Sequence, residues 1–361
     1  MGLDVKYANL RSRIFLKRRF EEQFCIPLQQ PVKQVESFML WYEENVLKVD
    51  TSDIKIDRPI FLVGLPRSGT TMMQDLLCAH PQIAYITNIM HQFRKAPCAA
   101  EDLRKRLKLD FEGERYLRDS VKVSLGSPNE GHAFFIDWYG LDPYALEYVK
   151  HDLSDFPLEQ IEQARDTMRK IIWCFKGKGV RFFNKNPGLT VYITLLKDMF
   201  PDAKIIHMVR DARKCANSML KLFKHNQAQE IKVRDKLGLD RDRYFIPYPR
   251  VPKLVEYLEA YGPNDIRTTA NIWNDTITMV AEQKDDVPFF YEVRFEDILA
   301  DPQVEIKKIL DFCELPEVED QSTPFWQKIK KIGKVSHTNN YGNFEMVEEI
   351  CKTYMKQYGY L

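Results

Sequence analysis

Ile60-Phe61-Leu62-Val63 runs directly into Gly64-Leu65-Pro66-Arg67-Ser68-Gly69-Thr70-Thr71, and a helical pattern follows to about Ala79. Four consecutive apolar residues suit a strand buried on both faces, as parallel strands are. The chain leaves that strand through two glycines and enters a helix. Backbone N–H groups and a helix N-terminus then converge on one spot, which suits an anion. The spacing fits the phosphate-loop pattern G-x-x-x-x-G-K-[ST], except that Thr70 occupies the lysine position. Nucleotide triphosphatases place that lysine on the β- and γ-phosphates and the next hydroxyl on magnesium. Its absence argues against NTP hydrolysis and kinase chemistry, while Arg67 puts a fixed positive charge inside the loop.

Further strand-to-helix units flank this one. Residues 180–185 lead past Pro187 into a helix over 190–200. Residues 204–209 lead through Arg210-Asp211 into a helix over 212–224, and a strand over 288–293 follows a helix over 266–284. The alternation predicts an α/β fold, a P-loop-type parallel sheet flanked by helices. Residues 85–178 read as a helical insertion on the acceptor side of a domain spanning 58–361. Residues 1–57 read as a helical extension. Within it, Val35, Phe38, Met39, Tyr42 and Val46 fall at helical spacing, on a face expected to pack against the body.

Composition narrows the function classes. The chain has 361 residues, with Lys+Arg 53 against Asp+Glu 52. A net charge of +1 provides no global field for nucleic acid. No run approaches the ~20 apolar residues of a membrane span, and the basic N-terminus lacks the apolar core of a signal peptide. Seven cysteines are scattered with no CxxC pair, and no residue cluster has metal-ligand spacing. A cytoplasmic protein without structural disulfides, resident metal, nucleic-acid partner or membrane span is expected.

The loop Pro66-Arg67-Ser68-Gly69-Thr70-Thr71, with Leu76-Leu77-Cys78-Ala79-His80-Pro81 after it, resembles the 5′-phosphosulfate loop of sulfotransferases. These enzymes use 3′-phosphoadenosine 5′-phosphosulfate (PAPS) and release adenosine 3′,5′-bisphosphate. Arg210 and, eight residues later, Ser218 match the strand-end arginine and serine that hold the 3′-phosphate in that family. A guanidinium fork with a hydroxyl near a helix start suits a dianionic phosphate. Asn184-Lys185-Asn186-Pro187 resembles the NK-x-P element of one branch, where the lysine assists catalysis. Trp273-Asn274 and the run from Tyr291 to Ile298 are family-like and read as architectural. Lys331 to His337 resembles a C-terminal loop that closes over the nucleotide, with Lys334 and Ser336 as phosphate contacts. The resemblance thus implies nucleotide contacts from Arg67, Ser68, Gly69, Thr70, Thr71, Arg210, Ser218, Lys334 and Ser336. It covers about residues 58–361.

Sulfuryl transfer to a hydroxyl also needs a base. Tyrosylprotein sulfotransferases carry a glutamate where this chain has Asn88, which cannot serve, so the base lies elsewhere. The segment Ser127-Pro128-Asn129-Glu130-Gly131-His132 resembles the Pro-x-Glu element of bacterial-type sulfotransferases and offers Glu130 and His132, with His91 a further candidate. Catalytic roles are therefore expected for Arg67, Lys185, His132 and Glu130. The acceptor is expected to be a small molecule or a carbohydrate. Phe134, Phe135, Trp138 and Tyr139 read mainly as core. A P-loop kinase and a non-catalytic nucleotide-binding scaffold are the competing readings.

Overall fold

A computed structural model describes residues 4–22, 31–115, 121–140, 144–175, 181–239, 245–333 and 341–361. Its strands are β1 (Val5–Tyr7), β2 (Ile60–Val63), β3 (Ile83–Tyr85), β4 (Phe111–Glu114), β5 (Lys122–Val123), β6 (Arg181–Lys185), β7 (Lys204–Val209) and β8 (Phe290–Arg294). Five of them form one sheet in the order β3-β6-β2-β7-β8, parallel throughout. Ile60 lies opposite Phe183 on one side and Lys204 on the other.

The apolar run of β2 divides by the two-residue period of a strand. Phe61 and Val63 enter one hydrophobic cluster, Ile60 and Leu62 the other. Phe182 and Ile205 join the first face, Phe183 and Ile206 the second. The first face is covered by helices Leu158–Trp173, Ala212–Leu237, Ile266–Gln283 and Phe344–Gln357. The second is covered by Thr70–Leu77, Pro302–Cys313 and Pro324–Ile329. Burial of each large apolar side chain there contributes about 1.5–3 kcal/mol.

The strand order sets the position of the site. From β2 the chain crosses toward β3 on one side, and from β6 it crosses to β7 on the other. The carboxyl ends of β6, β2 and β7 therefore border a crevice at a switch point, where open α/β sheets bind ligands. Gly64–Thr71, Lys185 and Arg210 all follow from those three ends.

The insertion is not purely helical. Strands β1, β4 and β5 form a second, antiparallel sheet, in which Val5 pairs with Gly113 and Gly113 with Val123. The extension thus contributes an edge strand to the insertion. Strands of two to four residues are too short to leave an alternating pattern, and β3 was hidden for the same reason. The helix expected over 212–224 runs through Ala212–Leu237 instead.

The extension also departs from expectation. Its second helix, Lys33–Tyr42, buries no residue, and Val35, Phe38 and Val46 stay exposed. Polar groups anchor it to the body. Tyr42 Oη donates to Asp102 at 2.9 Å. The buried Glu43 carboxylate accepts the amides of Cys98 and Ala99 at 2.9 and 3.0 Å and pairs with Lys170 at 3.2 Å. Glu43 thereby caps the helix Pro97–Arg106 from outside its own chain segment.

Candidate active site

The loop after β2 is shaped by positions that exclude a β-carbon. Gly64 has φ 141°, and a Cβ there would stand 2.6 Å from the Met208 carbonyl. Gly69 has φ 95°, and a Cβ there would collide with the Phe295 ring. Arg67 takes φ 72°, an uncommon conformation for a residue with a side chain. The Ser68 hydroxyl is spent inside the loop, donating to Leu65 O at 2.7 Å. The Gly64 amide donates to Thr190 Oγ1 at 2.8 Å. Helix Thr70–Leu77 starts at Gly69 with no side-chain cap on its first amides.

On one side of this loop three of the expected residues meet. Arg67 Nε donates to Ser218 Oγ at 3.0 Å, and Arg210 Nη1 donates to Arg67 O at 2.8 Å. The Arg210 guanidinium lies 4.9 Å from the centre of the Phe295 ring. Its Nε is buried without a hydrogen-bond partner. Trp273 Nε1 donates to Arg210 O at 3.0 Å. Trp273 and Phe295, read from sequence as architectural, thus fix the arginine directly.

On the other side lies a charged chain. Lys185, at the end of β6, is 2% exposed, and its ammonium reaches Thr71 Oγ1 at 3.4 Å and pairs with Glu130 Oε1. Glu130 Oε2 faces His132 Nε2 at 2.9 Å. Asn184 Nδ2 donates to Glu130 O at 3.1 Å, and the Asn129 carboxamide accepts the Gly131 amide at 2.8 Å. Asn129 in turn donates to Asn88 Oδ1 at 2.8 Å. Asn88 therefore braces the turn that carries Glu130. The sequence contained Asn184 and Asn129 within its motifs, but nothing in it shows that they grip that turn.

Burial by itself would raise the Glu130 carboxyl, but the Lys185 ammonium and His132 hold it well below the usual carboxylate range. Burial lowers the Lys185 ammonium, opposed by the Glu130 charge. His91 does not fit the part of base. Burial, with His132 and Arg94 nearby, pushes it down to about 3, and its Nε2 accepts the Ala133 amide at 3.3 Å. It is neutral at ordinary pH and a poor proton acceptor. Phe134, Phe135, Trp138 and Tyr139 are buried in the core beside the sheet. Lys334 and Ser336 lie outside the described residues.

A family model described as the sulfotransferase family matches residues 59–245. Protein-tyrosine sulfotransferase A of Caenorhabditis elegans is 23% identical over 268 residues, covering 71% of this chain and 50% of that protein. Omega-hydroxy-beta-dihydromenaquinone-9 sulfotransferase Stf3 of Mycobacterium bovis is 23% identical over 288 residues, covering 73% of this chain and 64% of that protein. The chain thus spans about half to two thirds of the length of these two relatives. Sulfotransferase STF9 of Mycobacterium avium shares the fold, with a TM-score of 0.54 and 16% identity over 90% of this chain and 81% of that one.

Proposed function

The chain belongs to the sulfotransferase family, and on that premise we propose that it transfers a sulfuryl group from PAPS to a hydroxyl of a small-molecule or carbohydrate acceptor. One observation carries the reading: the Arg67–Ser218–Arg210 cluster and the Lys185–Glu130–His132 chain lie on either side of one glycine-bounded loop.

The residues fit the nucleotide. Arg210 offers a buried Nε with no hydrogen-bond partner, beside a second guanidinium and a hydroxyl. Those groups suit the 3′-phosphate, and the loop amides with Thr70 and Thr71 suit the 5′-phosphosulfate. When bound, PAPS supplies an activated sulfuryl group, and adenosine 3′,5′-bisphosphate is left after its transfer. Lys185 holds a positive charge against Thr71, where it neutralises negative charge gathering on the 5′ side.

Glu130 and His132 handle the proton. Both Glu130 oxygens are engaged and its carboxyl is held low, so it is a weak base. As an anion it accepts the Nε2–H of His132, which leaves Nδ1 as the acceptor for the hydroxyl proton. Glu130 then orients the ring and stabilises the imidazolium. The His132 side chain is 41% exposed, so an acceptor can reach it.

The direct test is incubation with PAPS in EDTA beside phenol, aliphatic-alcohol and sugar acceptors, following bisphosphate release by chromatography. Acceptor-dependent release supports the reading. Bisphosphate binding without release on any class would favour a non-catalytic scaffold, and phosphoryl transfer from ATP with magnesium would sink the proposal.

A further inference from the structure

Of nineteen exposed large apolar side chains among the described residues, nine fall within residues 10–46. The first helix of the extension, Leu10–Lys17, turns Ser12 and Leu16 inward. Its outer side carries Leu10 at 71% and Ile14 at 69% exposure. Arg11, Arg13, Lys17 and Arg18 are exposed around them. The second helix, Lys33–Tyr42, presents Phe38 and Trp41 at 49% and 53% exposure, their rings 6.1 Å apart.

A residue just after the first helix and the second helix each reach one stretch of the body. Arg19 Nε donates to Gln92 Oε1 at 2.8 Å, and Glu36 pairs with Lys95 at 3.0 Å. That stretch continues into His91, whose ring receives the Ala133 amide next to His132.

We propose that these two helices form a docking surface for an anionic lipid interface. Leucine and isoleucine ringed by arginine and lysine on the first helix, and an exposed phenylalanine and tryptophan on the second, match the residue types found in the headgroup region of a bilayer. Charge selects this occupant over a protein. Residues 10–18 carry four exposed basic side chains and no acidic one, a charge complement to anionic headgroups. A two-fold contact with a second copy would set the same basic residues against one another. Among the described residues no helix is long and apolar enough to cross a membrane, so the contact is peripheral. The inference stands apart from the sulfuryl-transfer reading and survives its failure.

The test is co-sedimentation of the full chain with phosphatidylcholine vesicles, with and without phosphatidylglycerol, and with brominated lipid to quench Trp41. Binding should favour the anionic vesicles, weaken with salt, and show quenching that is lost in Trp41→Phe. The pair Leu10→Glu/Ile14→Glu should weaken binding about tenfold or more, since apolar burial drives it. Replacing Arg11, Arg13, Lys17 and Arg18 with glutamine should abolish the preference for anionic lipid. All these side chains are exposed, so circular dichroism and bisphosphate binding should match the parent. No binding to either vesicle would overturn the proposal, as would binding indifferent to these changes. Self-association that Leu10→Glu/Ile14→Glu abolishes would assign the face to a second copy, and would equally overturn it.

Discussion

Lys185 is held between Thr71 and Glu130 at the end of a buried strand, which places its charge at the edge of the loop. Lys185→Ala should slow transfer by about 10²–10³-fold, the scale of a lost donor to developing negative charge. Steady-state rates with PAPS check this, and an unchanged kcat would remove the role. His132→Asn should cost about 10²–10⁴-fold in kcat if it takes the proton. Glu130→Gln should keep a residual rate and displace the pH–rate profile, because the glutamine orients the ring without charging it. The reverse order of severity would make Glu130 the base. His91 gives a stability signature. Its native value of about 3 lies below its ordinary 6.5, so the unfolded chain binds the extra proton between those values. Its contribution is fully present above about 6.5 and declines as pH falls toward 3. Urea midpoints between neutral and acid pH should therefore fall more steeply for the parent than for His91→Gln. At this scale Arg67, Lys185, Arg210 and Ser218 stood out by resemblance to sulfotransferase motifs, and the structure brings Arg67, Arg210 and Ser218 together. The binding of Glu130 to Lys185 was not legible, because it joins residues far apart in sequence through a turn held by Asn184 and Asn129.

The loop between β2 and its helix stores its specificity in backbone geometry. Gly69→Ala places a methyl against the Phe295 ring at a left-handed φ. We expect a loss of about 1–3 kcal/mol, read from urea unfolding, together with weaker nucleotide binding. Phe295 also supports Arg210, so displacement of the ring disturbs both sides of the site. If stability and affinity both held, the loop would be softer than this packing implies. The sheet core was readable because β2 is a continuous apolar run, β6 and β7 hold paired apolar residues at their centres, and a helical pattern follows each of the three. The short strands β1, β3, β4 and β5 were not, since pairing with distant partners rather than local pattern makes them strands. The helix Lys33–Tyr42 carried a true helical period, but the buried Glu43 cap fixes how it sits and leaves its apolar residues outside.

Across the whole molecule, sheet order makes the site. Three strand ends well separated in the chain come side by side because β6 and β7 flank β2. The sequence predicted the parallel sheet but not which strands are neighbours, and neighbourhood is what joins Arg210 to Arg67 and Lys185 to Thr71. The most direct measurement is calorimetric titration with adenosine 3′,5′-bisphosphate in EDTA, with ATP plus magnesium run beside it, on the parent and on Arg210→Ala. We expect metal-independent binding of the bisphosphate, weaker ATP binding, and an affinity at least about tenfold lower for Arg210→Ala, the scale of one lost charge-assisted contact. Preference for ATP with magnesium, or bisphosphate binding indifferent to Arg210→Ala, would contradict a PAPS site at this edge of the sheet.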